Sequence, residues 1–350
     1  MIKGCIGNPW IAPLINQRPT EFFESTRGIR QGCPLSPFLY IIMAESLSRK
    51  LLAEKEAGNI PGIQIAQGVQ TINHALFVDD AICLGGPLVR IAKKFKKSFS
   101  AYCRASGGKI NINKSEIFGW NIDQSSMNKI ASALDMKGHD DWEKFKYLGL
   151  PIFPGNSKGR HWQEVMMEKI QGKNNFWGGR WINQAGKLIL LNSVLSAVPI
   201  YQFSTLLAPN MVCNRITRHL RDFLWQGGKH NLGKMHLVNW NITKRSKADG
   251  GLQIRDPQVE NLALGEKILW QIIANKTHWV SQALRRKYLS GLGPRNLEEE
   301  NIPRGTPIWN LCKETLPSFL GMLYWIPGNG EKIHLWEDKI MGKVELNTIA

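Results

Sequence analysis

The sequence predicts an α+β fold: a small antiparallel sheet with its helices in residues 1–135, then a mostly helical remainder. Three observations predict it. Two apolar runs, Ile72 to Val78 and Ala81 to Leu84, read as strands around a tight turn at Asp79-Asp80. Two stretches, Pro37 to Lys55 and Val89 to Ser106, repeat apolar residues at helix spacing. Beyond residue 160 a series of helical patterns carries most of the 13 tryptophans, enough bulk for a separate core.

Taken in order, short runs at Ala12 to Asn16 and Glu21 to Ser25 flank Gln17-Arg18-Pro19 as a hairpin loop. Gly28 to Pro37 is rich in turn residues. In the helix that follows, Leu39, Ile42, Met43, Ser46, Leu47, Lys50 and Leu51 share a face, and Pro37 suits a first turn. Gly58 to Gly62 ends it. The helix from Val89 carries Lys93, Lys94, Lys96 and Lys97 around Phe95 and stops at Gly107-Gly108. Ile110 to Ser115 and Glu116 to Trp120 are expected to be extended. Later helices are expected near 162–171, 185–197, 211–225, 259–273 and 279–289. Gly328-Asn329-Gly330, between Leu323 to Ile326 and Lys332 to Trp336, signals a hairpin.

Composition limits the function classes. Forty-five Lys and Arg against 28 Asp and Glu give a net charge of +17, a field that favours polyanions, nucleic acid first and an anionic surface second. No apolar run approaches the roughly 18 to 20 residues that span a bilayer. The N-terminus lacks a secretory pattern, so an intracellular protein, nuclear or cytoplasmic, is expected. The six cysteines are scattered without a Cys-x-x-Cys, which argues against a disulfide framework or a four-cysteine zinc site and for reduced, packed thiols.

Asp79 and Asp80 place two carboxylates side by side between strands that would be buried. Burying both charges would cost several kcal/mol without compensation. Either the turn is solvated, as Asp-rich turns often are, or it faces a cleft and holds a divalent cation such as Mg²⁺. A second constellation, Arg27-Gly28-Ile29-Arg30-Gln31-Gly32-Cys33-Pro34-Leu35-Ser36-Pro37-Phe38, joins glycines and polar groups to a helix start, a setting where backbone can approach phosphate. By itself it also reads as an ordinary loop.

Together these segments resemble two polymerase motifs of reverse transcriptases from plant non-long-terminal-repeat retroelements, the long interspersed type: R-G-x-R-Q-G-x-P-L-S-P and F-x-D-D. Further matches follow in order. Ala105 to Ser115 resembles the next, lysine-bearing motif, and Tyr147-Leu148-Gly149-Leu150-Pro151 the start of the thumb. Ala185-Gly186-Lys187 with Ser193-Val194-Leu195, Phe223-Leu224-Trp225 and Gly250 to Asp256 resemble the downstream region. The resemblance implies a partial polymerase palm over 1–135, a thumb-like helical region over 136–225 and a Trp-rich C-terminal region over 226–350.

It also implies roles. Asp79 and Asp80 would be the metal-binding carboxylates for Mg²⁺ or Mn²⁺, and Phe77, where many members have Tyr, would line the primer terminus. Gln31 and Gly32 would border the incoming nucleotide and template, and Arg30 would pair with phosphate. Lys114, with Lys109 as competitor, would help pyrophosphate leave. The implied partners are an RNA template, a DNA primer and a dNTP, with no membrane.

Departures accompany the matches. Cys33 stands where many members have Asp, Val78 where Ala is usual, and Thr243 where Cys is frequent. His219, His230 and His236 do not form a zinc pattern. Residues 1–78 contain no Asp. The further Asp that the family places on its first palm strand, ahead of the Gln31 loop, therefore has no counterpart. The expectation is a fragment whose chemistry needs the full-length protein, the alternative being an inactive nucleic-acid-binding remnant. A third possibility, a basic scaffold for other proteins, would show an apolar patch in place of a positive groove.

Overall fold

The computed structural model describes residues 9–25, 28–30, 32–142, 145–152, 182–226, 236–275, 277–289 and 303–324, with isolated positions between them. It is a mixture of helices and small sheets, as an α+β chain requires. Residues 1–65 with 69–142 form one unit, and residues 66–68 with 143–350 form another.

The first unit begins with β1 (Trp10–Ile11) paired to β4 (Phe23–Glu24) and β2 (Leu14–Ile15) paired to β3 (Arg18–Pro19), both antiparallel. The turn between β2 and β3 is Asn16-Gln17, with φ of 49° and 66°. It thus lies ahead of the Gln17-to-Pro19 loop expected from sequence. Two successive left-handed residues match the twist of the flanking strands, and Asn tolerates that conformation.

Helix α1 (Ser36–Glu56) has proline in its first turn and buries Leu47 and Leu51. Its inward stripe also includes Tyr40, Ala44 and Ser48, whereas Ile42, Ser46 and Lys50 are exposed. The expected face is therefore rotated, because packing follows the hairpin partner and not apolar character alone. That partner is β5 (His74–Phe77) paired antiparallel with β6 (Asp80–Cys83). Helix α2 (Val89–Ser106) ends at Gly107, whose φ of 72° no branched side chain would adopt readily. Leu47, Leu51, Ile60, Ile91 and Phe95 make the core of this unit, with Leu76 and Cys83 packed beside them.

Two features here differ from the sequence reading. Residues 112–114 form a turn, closed by the Lys114 and Ser115 amides on the Asn111 and Ile112 carbonyls, in place of an extended run. After it, β7 (Glu116–Phe118) pairs in parallel with β8 (Lys137–His139), across α3 (Gln124–Leu134). Among the described residues, five two-stranded ladders, four antiparallel and one parallel, stand where one small antiparallel sheet was expected. A parallel pair needs a crossover, and α3 supplies it. Asp123 caps α3 by accepting from the Ser126 amide at 2.8 Å, and Asp135, at φ 57°, closes it.

The second unit opens with the hairpin β9 (Lys146–Tyr147) and β10 (Leu150–Pro151). Helix α4 (Gln184–Leu190) runs into a π turn at Leu191–Leu195, so the expected 185–197 helix is not uniform; the Ser196 amide reaches the Leu191 carbonyl at 2.9 Å. Next come α5 (Ile200–Phe203), α6 (Asn210–Gln226), α7 (Trp240–Thr243), α8 (Pro257–Ala274), α9 (Trp279–Tyr288) and α10 (Pro307–Met322). One core gathers Leu191, Phe203, Ile216, Leu220 and Phe223; another gathers Leu269, Ile272, Leu284, Trp309 and Phe319. Sequence reading supplied no helix for α10, which holds Pro317 in its interior. Most of the 162–171 helix and the hairpin around 328–330 lie outside the described residues.

Among the described residues, no helix is long and apolar enough to cross a membrane. Cys33, Cys83, Cys103, Cys213 and Cys312 form no disulfide. Burial pushes the Cys83 and Cys312 thiols up to about 12, which keeps them protonated and inert.

Candidate active site

The register Phe77↔Asp80 leaves Val78 and Asp79 as the two residues of the turn, and Asp80 opens β6. The turn is thus one residue earlier than an Asp79-Asp80 tip. Phe77, Val78, Asp79 and Asp80 are all exposed. Val78 has a φ of 51°, a conformation that costs a β-branched residue about 1–2 kcal/mol. Val78→Gly should therefore raise the stability of this unit by roughly 1 kcal/mol, read by urea unfolding. A loss of stability would show that the Val78 side chain contributes more than its backbone costs.

Helix α1 fixes this turn. Tyr40 Oη donates to the Val78 carbonyl at 2.6 Å. Burial, then the neighbouring Tyr102 and the Asp79 carboxylate, push the Tyr40 phenol above its usual range, so it stays a donor. Two turns further along, Ser48 Oγ lies 2.8 Å from His74 Nε2, and His74 Nδ1 lies 2.7 Å from Asn73 Oδ1. The buried Asn73 amide donates to the Leu51 carbonyl at 2.7 Å. None of Tyr40, Ser48, Asn73 and His74 was singled out from sequence. The available signal was Tyr40 and Ser48 at a spacing of eight, which puts both on one helix face with Leu47 and Leu51.

Burial, followed by the charge of Lys55, lowers the His74 pKa from 6.5, with Glu45 opposing. A lowered imidazole means that the unfolded chain binds more protons than the native one between the two pKa values. Stability should therefore be full above 6.5 and fall as pH drops through and below that value. His74→Asn should flatten this part of the pH profile in thermal unfolding; an unchanged slope would assign it to another group.

The glycine-rich loop precedes α1. Arg30 and Gly32 are exposed, and Gly32 takes a φ of 79°, which favours glycine. Ser36 Oγ donates to the Arg30 carbonyl at 2.8 Å, fastening the loop to the helix start. Hydrogen bonds from the Leu35 backbone and the Ser36 side chain lower the Cys33 thiol below its ordinary value. The Ser36 amide donates to the Cys33 carbonyl at 3.1 Å. Gln31 lies outside the described residues.

Asp79, Asp80 and Phe77 are brought together in one turn, and α1 links that turn to the Arg30–Gly32 loop. Lys114 is exposed on the 112–114 turn, and no ion pair joins it to Asp79 or Asp80 among the described residues. Lys109 is exposed as well. Among the described residues, no group of three or more His, Cys, Asp or Glu side chains is placed to hold a metal. Two adjacent exposed carboxylates do suit Mg²⁺, which uses one or two carboxylates and completes its shell with water and phosphate.

Residues 1–152 match the reverse transcriptase (RNA-dependent DNA polymerase) family. The similarity to that family covers this part of the chain. The stretch contains the Gly32 loop, the Asp79-Asp80 turn and the Lys114 turn, and it ends just after β10.

Related proteins extend the similarity. An Arabidopsis thaliana protein described as a ribonuclease H protein is 30% identical over 184 residues, 51% of this chain and 29% of its own length. An uncharacterized mitochondrial protein of Arabidopsis thaliana is 43% identical over 67 residues, 19% of this chain and 55% of its own. The uncharacterized 149 kDa protein of transposon TX1 from Xenopus laevis is 26% identical over 248 residues, 68% of this chain and 17% of its own. The chain thus spans between about a sixth and about half of these relatives' lengths.

Proposed function

We propose that this chain is part of an RNA-directed DNA polymerase of a non-long-terminal-repeat retroelement and carries the Asp79 and Asp80 carboxylates of a two-metal nucleotidyl-transfer site. The observation that carries the reading is the exposed Val78-Asp79 turn, held by Tyr40 within a segment that matches reverse transcriptases. In this reading residues 1–135 are a partial polymerase palm, 136–225 a thumb-like helical region and 226–350 the Trp-rich C-terminal region. Its partners are an RNA template, a DNA primer and dNTPs inside the cell.

Asp79 and Asp80 would hold Mg²⁺ or Mn²⁺. Such ions, when bound, stabilise the attacking and leaving oxygens of phosphoryl transfer. The chain's own residues do the positioning. Tyr40 fixes the carbonyl between the strand and Asp79, Phe77 offers a flat apolar surface to the primer terminus, and Gly32 leaves room beside the template. Gln31 borders the incoming nucleotide, Arg30 meets its phosphates, and Lys114 protonates or neutralises the departing pyrophosphate.

A second reading, a nucleic-acid-binding remnant without turnover, has its own support: the described residues offer no third metal ligand beside the pair. Primer extension on an RNA template with Mg²⁺ or Mn²⁺ separates the two. Incorporation that vanishes in Asp79→Ala would rule out the remnant; its absence from the 350-residue chain would favour it. The metal site is tested apart from turnover by Mn²⁺ titration, which should broaden the amide signals of Phe77 to Ala81. Asp79→Asn with Asp80→Asn should abolish that broadening, and no broadening in the parent chain would refute the site.

A further inference from the structure

Helix α2 has a second face that the active-site reading does not use. Its 18 residues include Arg90, Lys93, Lys94, Lys96, Lys97 and Arg104 and no acid. Arg90, Lys93, Lys97 and Arg104 are exposed, and among the described residues none of the four makes an ion pair. Lys96 differs, since it meets Asp135 at 2.6 Å.

At 3.6 residues per turn, those four positions fall within about 60° of arc, on the side opposite Ile91, Phe95 and Ser98. They stretch over about 21 Å of helix axis. The stripe therefore points away from the core that seats the Asp79 hairpin.

Like charges three and four residues apart on one helix face repel, so this spacing weakens the bare helix. A solvated face needs no such arrangement; alternating signs would stabilise it better. A row of cations without acids is instead suited to a regularly spaced polyanion. Arg and Lys both meet phosphate oxygens well, and about six phosphates of one strand pass along 21 Å.

We infer that the solvent face of α2 is a track for the phosphodiester backbone of a nucleic acid, gripped by Arg90, Lys93, Lys97 and Arg104. The contacts are with phosphate and carry no base readout, so binding is independent of sequence. The inference goes beyond the polymerase reading, because it requires neither a metal nor chemistry at Asp79.

The test is fluorescence anisotropy on the full chain with two probes, a short single-stranded RNA and a short DNA duplex, between about 50 and 200 mM salt. Changing all four residues to Gln should make the plot of log K against log salt shallower by about 3 on whichever probe occupies the track, with at least a roughly tenfold loss of affinity at the low-salt end. Loss on the duplex alone would assign the track to DNA, and loss on the RNA alone to RNA; loss on both assigns the shared backbone.

The same change at Lys129, Lys137, Lys247 and Lys267, also exposed, removes equal net charge and should have a much smaller effect. Thermal unfolding should show the stripe variant at least as stable as the parent, since repulsion is relieved. Asp79→Asn should leave this binding intact, which separates failure of the track from failure of the active-site reading. Equal losses in stripe and control variants, or no loss on either probe, would overturn the inference. Binding to anionic vesicles that depends on the stripe, with nucleic-acid binding unaffected, would overturn it too.

Discussion

Asn261→Leu is expected to lower the unfolding free energy of the second unit by about 3 kcal/mol or more. Asn261 sits in α8 and is 2% exposed. Its Oδ1 accepts from the Ala208 amide at 2.9 Å, and its Nδ2 donates to the Phe203 and Leu206 carbonyls at 2.8 and 2.9 Å. One side chain thus satisfies three backbone groups in the link between α5 and α6. Leucine, of similar volume, would leave all three without that partner, and each orphaned buried group costs about 1–3 kcal/mol. Urea unfolding followed by tryptophan fluorescence reads the loss directly. A change below about 1 kcal/mol would mean that water replaces the amide, and the link would then not depend on Asn261.

Trp309→Ala should cost about 3–5 kcal/mol, the range for deleting a buried large aromatic. Trp309 is 2% exposed in the core between α8 and α10. Its ring stacks on Tyr288 with centroids 4.5 Å apart and planes within 4°. Its indole N–H donates to the Pro303 carbonyl at 3.1 Å. The substitution removes apolar contact, ring stacking and a hydrogen bond together. Trp309→Phe should recover much of the loss, because the ring is kept and only the indole donor disappears. Comparable losses for Ala and Phe would place most of the energy in the hydrogen bond.

The sequence made the active-site turn legible because its signal is local. Two acids between apolar runs are visible in a few residues, and so are Gly107 as a helix stop and proline at the start of α1. The supports of that turn were not legible. Tyr40 meets Val78 across 38 positions, and Ser48 meets His74 across 26. Neither pair has a signature in a single sequence, and the apolar Ile42 pulled the expected face of α1 toward solvent. The parallel β7–β8 pair was hidden because each strand is only three residues long. In α10, Pro317 removes a helical donor and breaks the pattern that Trp309, Cys312 and Leu316 otherwise form. Cap chemistry could have revealed α3, since Asp123 precedes a polar run and binds the amide three residues on. Lys114 shows the opposite limit: its motif was recognisable, but motif order carries no information about its distance from Asp79.

The core around Leu51 and Phe95 draws on residues 47–134 alone, and residues from Met167 onward build cores of their own. During synthesis, a domain generally folds as soon as its own segment is available, N-terminal part first. The hairpin bearing Asp79 can therefore acquire its shape on the ribosome before α8 exists. A premature stop or a frameshift downstream of the first unit would still release a folded piece with its acidic turn in place.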